Sequence, residues 1–117
     1  MPMRLEFIYL PVPDLQSALA LYREQLGFDE LWREGDGTVG LAIPGSDTAL
    51  MVDAQAAPGS GPGPIFGVDS VGEWLAGQQG LDVVFPPSEI PGGHLMGFRD
   101  AGGNHVYVLD QSAAQDG

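Results

Sequence analysis

The chain has no cysteine, no lysine and only two histidines among its 117 residues. Without cysteine there can be no disulfide, no thiol nucleophile and no thiolate metal site. Four arginines are the only basic side chains, set against 16 acids, for a formal charge of −12. Affinity for a phosphate backbone comes from Lys and Arg, so no nucleic-acid partner is expected. A field of this sign favours a cationic ligand where acids gather at a cleft, and elsewhere it serves solubility. No stretch approaches the roughly 18 apolar residues of a membrane span, so no membrane partner is expected. The opening Met1-Pro2-Met3-Arg4 lacks a basic region followed by a long apolar run, and a soluble, cytoplasmic protein is expected. The serines at 17, 46, 60, 70, 88 and 112 fall at turns, caps, helix starts or the tail, and none sits in a nucleophile elbow.

What the chain does have is punctuation and alternation. Leu5 to Val12 reads as a first strand, ended where Pro13 lacks a donor and Asp14 can cap a helix. Leu15, Ala18, Leu19, Tyr22 and Leu26 then recur at helical spacing, which places Tyr22 in the core. Gly27 supplies the stop. Strands are expected over 29–34, 38–43 and 48–53, with Asp36-Gly37 as a hairpin signal and Pro44 to Asp47 as a second turn. Residues 54–63, rich in Ala, Gly and Pro, cannot hold a regular element and read as a linker.

The order then repeats. A strand is expected over 64–68, and Ser70-Val71-Gly72-Glu73 fits a capping box with Asp69 or Ser70 as the cap. Val71, Trp74 and Leu75 give a short helix its inner face, and Gly80 ends it. Strands follow over 81–85, 93–99 and 104–110, with 86–91 as a loop. In the last of these, Val106 and Val108 share one face while His105, Tyr107 and Leu109 share the other. Val12-Pro13-Asp14-Leu15 is echoed by Val68-Asp69-Ser70-Val71, and Leu26-Gly27-Phe28-Asp29 by Gln79-Gly80-Leu81-Asp82. The fold class is therefore α+β: one domain of two βαβββ modules, at 3–54 and 64–111, with a linker at 55–63 and a frayed tail at 112–117. The helix-free face of such a module must be buried against another unit, in the same chain or a second one.

The pieces Leu10 to Leu15, Ala20-Leu21-Tyr22, Leu26-Gly27-Phe28, Phe66 to Val71, Phe98-Arg99-Asp100 and Gly103-Asn104 fall in order along the chain. In these the sequence, over residues 4–111, resembles the vicinal oxygen chelate superfamily, which includes glyoxalase I, extradiol dioxygenases and bleomycin-resistance proteins. The resemblance implies a curled mixed sheet around a cavity, with helices outside. In the enzymes it implies a divalent metal held by His or Gln on the first strand, an acid on the fourth, His on the fifth and Glu on the eighth. Carried onto this chain, those positions are Phe7, Leu50 (give or take one residue), Gly63 or Pro64, and Tyr107. Phe, Leu, Gly and Pro offer a metal no side-chain donor, and a phenol, with a pKa of about 10, is a poor ligand at neutral pH. No cofactor is therefore expected. The alternative is a divalent metal on an unusual set, His94 and His105 with Glu89 or Asp53.

The expected ligand-binding wall is Phe7 and Tyr9, Leu50 and Val52, Met96 or Phe98 according to register, and His105, Tyr107 and Leu109. Trp32 is placed to stack a planar or cationic ligand. The expected function is metal-independent sequestration of a small molecule, cationic or aromatic, in the manner of the glyoxalase/bleomycin-resistance group. The resemblance also implies a homodimer. Two rivals stand beside it. One is a metal-dependent lyase, isomerase or dioxygenase with atypical ligands. The other is metal-free acid–base catalysis, with His105 as base and Tyr107 donating to a carbonyl or enolate oxygen.

Overall fold

The computed structural model describes residues 2–111, so the tail expected from 112 lies outside the described residues. The elements run β1 (Arg4–Pro11), α1 (Leu15–Leu19), β2 (Asp29–Glu34), β3 (Thr38–Ala42), β4 (Ala49–Asp53), β5 (Gly63–Gly67), α2 (Val71–Ala76), β6 (Asp82–Ile90), β7 (Gly93–Arg99) and β8 (His105–Asp110). The fold is α+β, with a mixed sheet. Its contacts group the chain into two compact units: Glu6–Pro62, and the chain from Gly63 together with residues up to Leu5.

In the first unit the strands lie in the order β2-β3-β4-β1. β2, β3 and β4 are antiparallel neighbours, and β1 runs parallel to β4 with Phe7 opposite Ala49 and Tyr9 opposite Met51. The Asp14 carboxylate accepts from the N–H of Ser17 at 3.1 Å and from its hydroxyl at 2.6 Å, which caps α1. Leu15 and Leu19 then meet Val39, Leu41, Leu50 and Val52, with Ile8, Leu10, Tyr22 and Phe28 at the margin. After Leu19 the helix widens into a π-helical stretch, Ala20–Gln25, where the expected pattern was uniform. The Leu26 N–H reaches the Leu21 carbonyl at 2.9 Å, five residues back, and Gly27 takes φ +79° to turn the chain out.

The second unit repeats the plan. Its strands lie in the order β6-β7-β8-β5, with β5 parallel to β8. Ser70 caps α2, accepting from the Glu73 N–H at 3.2 Å. The helix ends at Gly77, one turn before the expected Gly80, which takes φ +74° in the connection. Val68, Val71, Met96 and Val108 form the core beneath α2, with Trp74 and Phe98 stacked against each other at its edge. The loop expected at 86–91 is mostly strand: β6 continues to Ile90 through Pro86 and Pro87. The two prolines fall where the β6–β7 register skips between Phe85 and Ser88, so their missing N–H groups interrupt no ladder bond. At the β7–β8 turn the Asp100 carboxylate accepts from the Asn104 side chain and from backbone N–H groups. Those bonds, the Asn104 side chain first, hold its pKa below the ordinary carboxylate value.

Among the described residues no helix is long and apolar enough to cross a membrane.

Candidate functional site: the helix-free faces

Because side chains alternate along a strand, the residues packed under each helix define the opposite face by parity. In the first unit, Ile8, Leu10, Val39, Leu41, Leu50 and Val52 belong to the helix side. The other face carries Phe7 and Tyr9 from β1, Met51 and Asp53 from β4, Thr38 and Gly40 from β3, and Trp32 from β2. Leu50 and Val52, expected on the ligand wall, are therefore core residues beneath α1, and Met51 stands where Leu50 was expected. The cause is a register one residue away from the expected one, which exchanges the faces of a whole strand.

Trp32 lies across β3. A Cβ on Gly40 would collide with its indole ring, so only glycine lets the ring down onto the strand. The edge of that indole meets Phe7, with centroids 5.8 Å apart and the rings at 90°. Farther along the same face, the Tyr9 hydroxyl donates to Asp53 Oδ2. Asp53 Oδ1 accepts from the Thr38 hydroxyl and the Gln55 N–H, both at 2.9 Å.

In the second unit, Met96 and Phe98 belong to the helix side. Met96 therefore leaves the expected wall, for the same reason of parity. Tyr107 and Leu109 lie on the helix-free face as expected, and so does His105, two residues before Tyr107. Tyr107 is only 2% exposed and Leu109 4%. The imidazole of His105 stacks on the Tyr107 ring at 6.5 Å and 13°. Phe85 also approaches the Tyr107 ring, at 6.1 Å. It rests on Gly97 as Trp32 rests on Gly40: a Cβ there would lie 2.7 Å from the Phe85 ring. Phe85, Met51, Thr38 and Asp53 also lie on the helix-free faces, where the sequence reading did not put them. Their only sequence signal is parity, which is useful once one residue of each strand has been placed.

His94 is brought to Asp110 instead of His105. Its backbone N–H donates to Asp110 Oδ1 at 3.1 Å, and its Nδ1 lies 3.4 Å from the same oxygen. Asp110 Oδ2 accepts from the Val71 N–H at 2.7 Å, so this buried carboxylate ties β7 and β8 to the start of α2.

The residues at the four expected metal positions do not fit a divalent ion. Phe7 and Met51 present a ring and a thioether, the latter a weak donor to a hard cation. Gly63 passes so close to the His105 backbone that a Cβ would collide with its carbonyl oxygen, so no ligating side chain fits at that position. Tyr107 is packed against the rings of Phe85 and His105. Among the described residues no three of His, Asp or Glu gather as a metal-binding set.

Comparison with proteins of known structure returns the same architecture at low identity. A hypothetical protein from Bacillus halodurans C-125 superposes with a TM-score of 0.72 at 17% identity, covering 96% of each chain. Methylmalonyl-CoA epimerase from Mycobacterium tuberculosis gives 0.62 at 22% identity, over 96% of this chain and 90% of that one. A Streptomyces coelicolor methylmalonyl-CoA epimerase variant, in complex with 2-nitronate-propionyl-CoA, gives 0.68 at 20%, over 94% and 95%. No curated protein matches by sequence. Residues 4–108 match the family profile, and the chain belongs to the Glyoxalase/Bleomycin resistance protein/Dioxygenase superfamily.

Proposed function

We propose that this member of the superfamily binds a small organic molecule without a metal and sequesters it against its aromatic helix-free faces. The observation that carries the reading is the chemistry at the four metal positions. Phe7, Met51, Gly63 and Tyr107 supply ring, thioether, bare backbone and packed phenol where the family's enzymes need ligands. Apolar and aromatic surface with a few fixed polar groups is the usual material of a small-molecule site. The Phe7–Trp32 pair is half-buried and is such a surface. We take the assembly to be a homodimer, and light scattering that finds only the monomer mass would remove that part of the reading.

The test is a thermal-shift screen of aromatic and cationic small molecules, run with and without EDTA, on protein purified without chelators. A ligand held at a hundred times its Kd should stabilise the fold by about 2.7 kcal/mol, whether or not EDTA is present. Stoichiometric Zn, Ni, Mn or Fe in the purified protein, or binding that EDTA abolishes, would overturn the reading.

One observation favours a second reading. The His105 imidazole is half-buried and stacked on Tyr107, as a general base beside a phenol donor would be. The similarity in fold to methylmalonyl-CoA epimerases gives that reading a reaction class, proton abstraction next to a carbonyl. It predicts solvent-deuterium uptake by a 2-methyl-branched acyl thioester, lost in His105→Gln. No uptake above the uncatalysed rate removes it.

A further inference from the structure

The two units can be laid on each other by hydrogen bonds alone. The Val12 N–H donates to the Asp53 carbonyl and the Val68 N–H to the Leu109 carbonyl, both at 2.9 Å. This makes Asp53 the counterpart of Leu109, and counting back along β1 and β5 makes Tyr9 the counterpart of Ile65. Thr38 pairs with Asp53 across β3–β4, as Leu95 pairs with Leu109 across β7–β8. The hydrogen-bonded trio Tyr9, Thr38 and Asp53 thus stands where the second unit has Ile65, Leu95 and Leu109. The same strand geometry is built with three aliphatic side chains in one unit, so the fold itself does not require the polar trio in the other.

A half-buried carboxylate loses hydration, and a protein that needed only packing there would do as well with leucine. Asp53 is instead held in place by two hydroxyls and the Gln55 N–H. A carboxylate has about four acceptor sites, so these three donors leave room for one more. It lies on the same strand face as Met51, Phe7 and Trp32, in a chain of net charge −12.

We propose that Asp53, fixed by Tyr9 and Thr38, receives the ammonium group of an aromatic amine whose ring lies against Phe7 and Trp32. This subsite rests on the reading of the chain as a small-molecule binder and gives that ligand a class: a cation with at least one N–H. The amine donates to the carboxylate, a charge-assisted hydrogen bond, while the ring is held by apolar and aromatic contact.

The probes are 2-naphthylmethylamine, protonated at neutral pH, and its neutral counterpart 2-naphthylmethanol, each titrated by calorimetry into the full chain. The ammonium compound should bind about ten-fold more tightly or better, as expected for a hydrogen bond between charged groups. Asp53→Asn should erase that preference, bringing the two affinities to within about two-fold of each other, less than half a kcal/mol apart. The triple substitution Tyr9→Ile, Thr38→Leu and Asp53→Leu, which copies the second unit, should keep the cooperative unfolding transition and lose the preference as well. Equal affinity for both probes in the wild-type protein overturns the subsite and leaves the small-molecule reading standing. A preference that survives Asp53→Asn, or no binding of either probe, overturns it too. The small-molecule reading itself stands or falls on the metal analysis and EDTA screen.

Discussion

Beneath the helices the two units solve the same problem in the same way. Leu15, Val39, Leu41 and Val52 fill one core, and Val71, Met96 and Val108 fill the other. On the helix-free faces they part. Each lays an aromatic ring on a glycine, Trp32 on Gly40 and Phe85 on Gly97. Beyond that ring the first unit carries Met51 and the Tyr9–Thr38–Asp53 trio. The second carries Tyr107 with His105 stacked on it, and the aliphatic Ile65, Leu95 and Leu109. The shared half of each unit is what packing demands, and the divergent half is where ligand chemistry can be written. The difference also separates the two carboxylates near the ends of β4 and β8. Asp53 faces the helix-free side with hydroxyl partners, whereas Asp110, one position further on, turns under α2 and meets backbone N–H groups.

Removing Asp110 is the hardest test of that division, and the largest effect expected. Its counterpart in the first unit is Ala54, so Asp110→Ala makes the second unit imitate the first. The imitation should fail, because the Val71 and His94 N–H groups would lose their acceptor in a site that is 5% exposed. A buried, charge-assisted pair of this kind is worth about 3 kcal/mol, read as a drop in urea unfolding free energy. A loss below about 1 kcal/mol would mean that water replaces the carboxylate at the helix start.

The next test compares the two glycine cradles directly. Gly97→Ala puts a methyl 2.7 Å from the Phe85 ring, and Gly40→Ala collides with Trp32. Each should destabilise by about 1–3 kcal/mol, the usual range for overpacking. Phe85→Leu should recover much of the Gly97→Ala loss, and Trp32→Leu much of the Gly40→Ala loss, as coupled neighbours do in a double-mutant cycle. Only the Gly40→Ala pair should also weaken a ligand held on the first unit. Equal weakening by both pairs would move ligand binding onto the two faces alike.

Local signals made most of the fold legible. Val-Pro-Asp before α1, Asp36-Gly37 between β2 and β3, and the Asp100-to-Gly103 turn before β8 each act over a few residues, and the structure places elements where they indicate. Phe7 and Tyr107, carried over from the resemblance, were given the right parity, and both lie on helix-free faces. What was not legible was parity on the strands without a motif. β1 pairs with β4 in parallel across about forty residues of intervening chain, so no turn sets the register, and Leu50 and Val52 were assigned to the wrong face. Met96 was also given the wrong face, although the Asp100-to-Gly103 turn joins β7 to β8: its partner Val108 packs under α2, and Met96 packs there with it. The π-helical stretch after Leu19 had no signal, since its apolar spacing suits an α-helix equally well. Pro86-Pro87 read as a loop because a proline in a strand normally ends it, and β6 lies at the sheet edge, where that rule relaxes.

The smallest expected difference between the units is one that titrates. α1 begins on a carboxylate, Asp14, and α2 on a hydroxyl, Ser70. The Ser17 hydroxyl, and after it the Ser17 N–H, hold the Asp14 pKa below its ordinary value of 3.8. A depressed folded-state pKa contributes stability that is fully present above the ordinary value and is lost as pH falls through the folded one. The penalty of Asp14→Ala should therefore be present at neutral pH and shrink toward zero in acid. That of Ser70→Ala should hold near about 1 kcal/mol throughout, since a serine cap does not ionise. Asp14→Asn keeps a capping oxygen while removing the titration, and its stability relative to wild type should rise as the pH falls. A Ser70→Ala penalty that fades in parallel with that of Asp14→Ala would sink the comparison, since the two caps would then share one pH dependence.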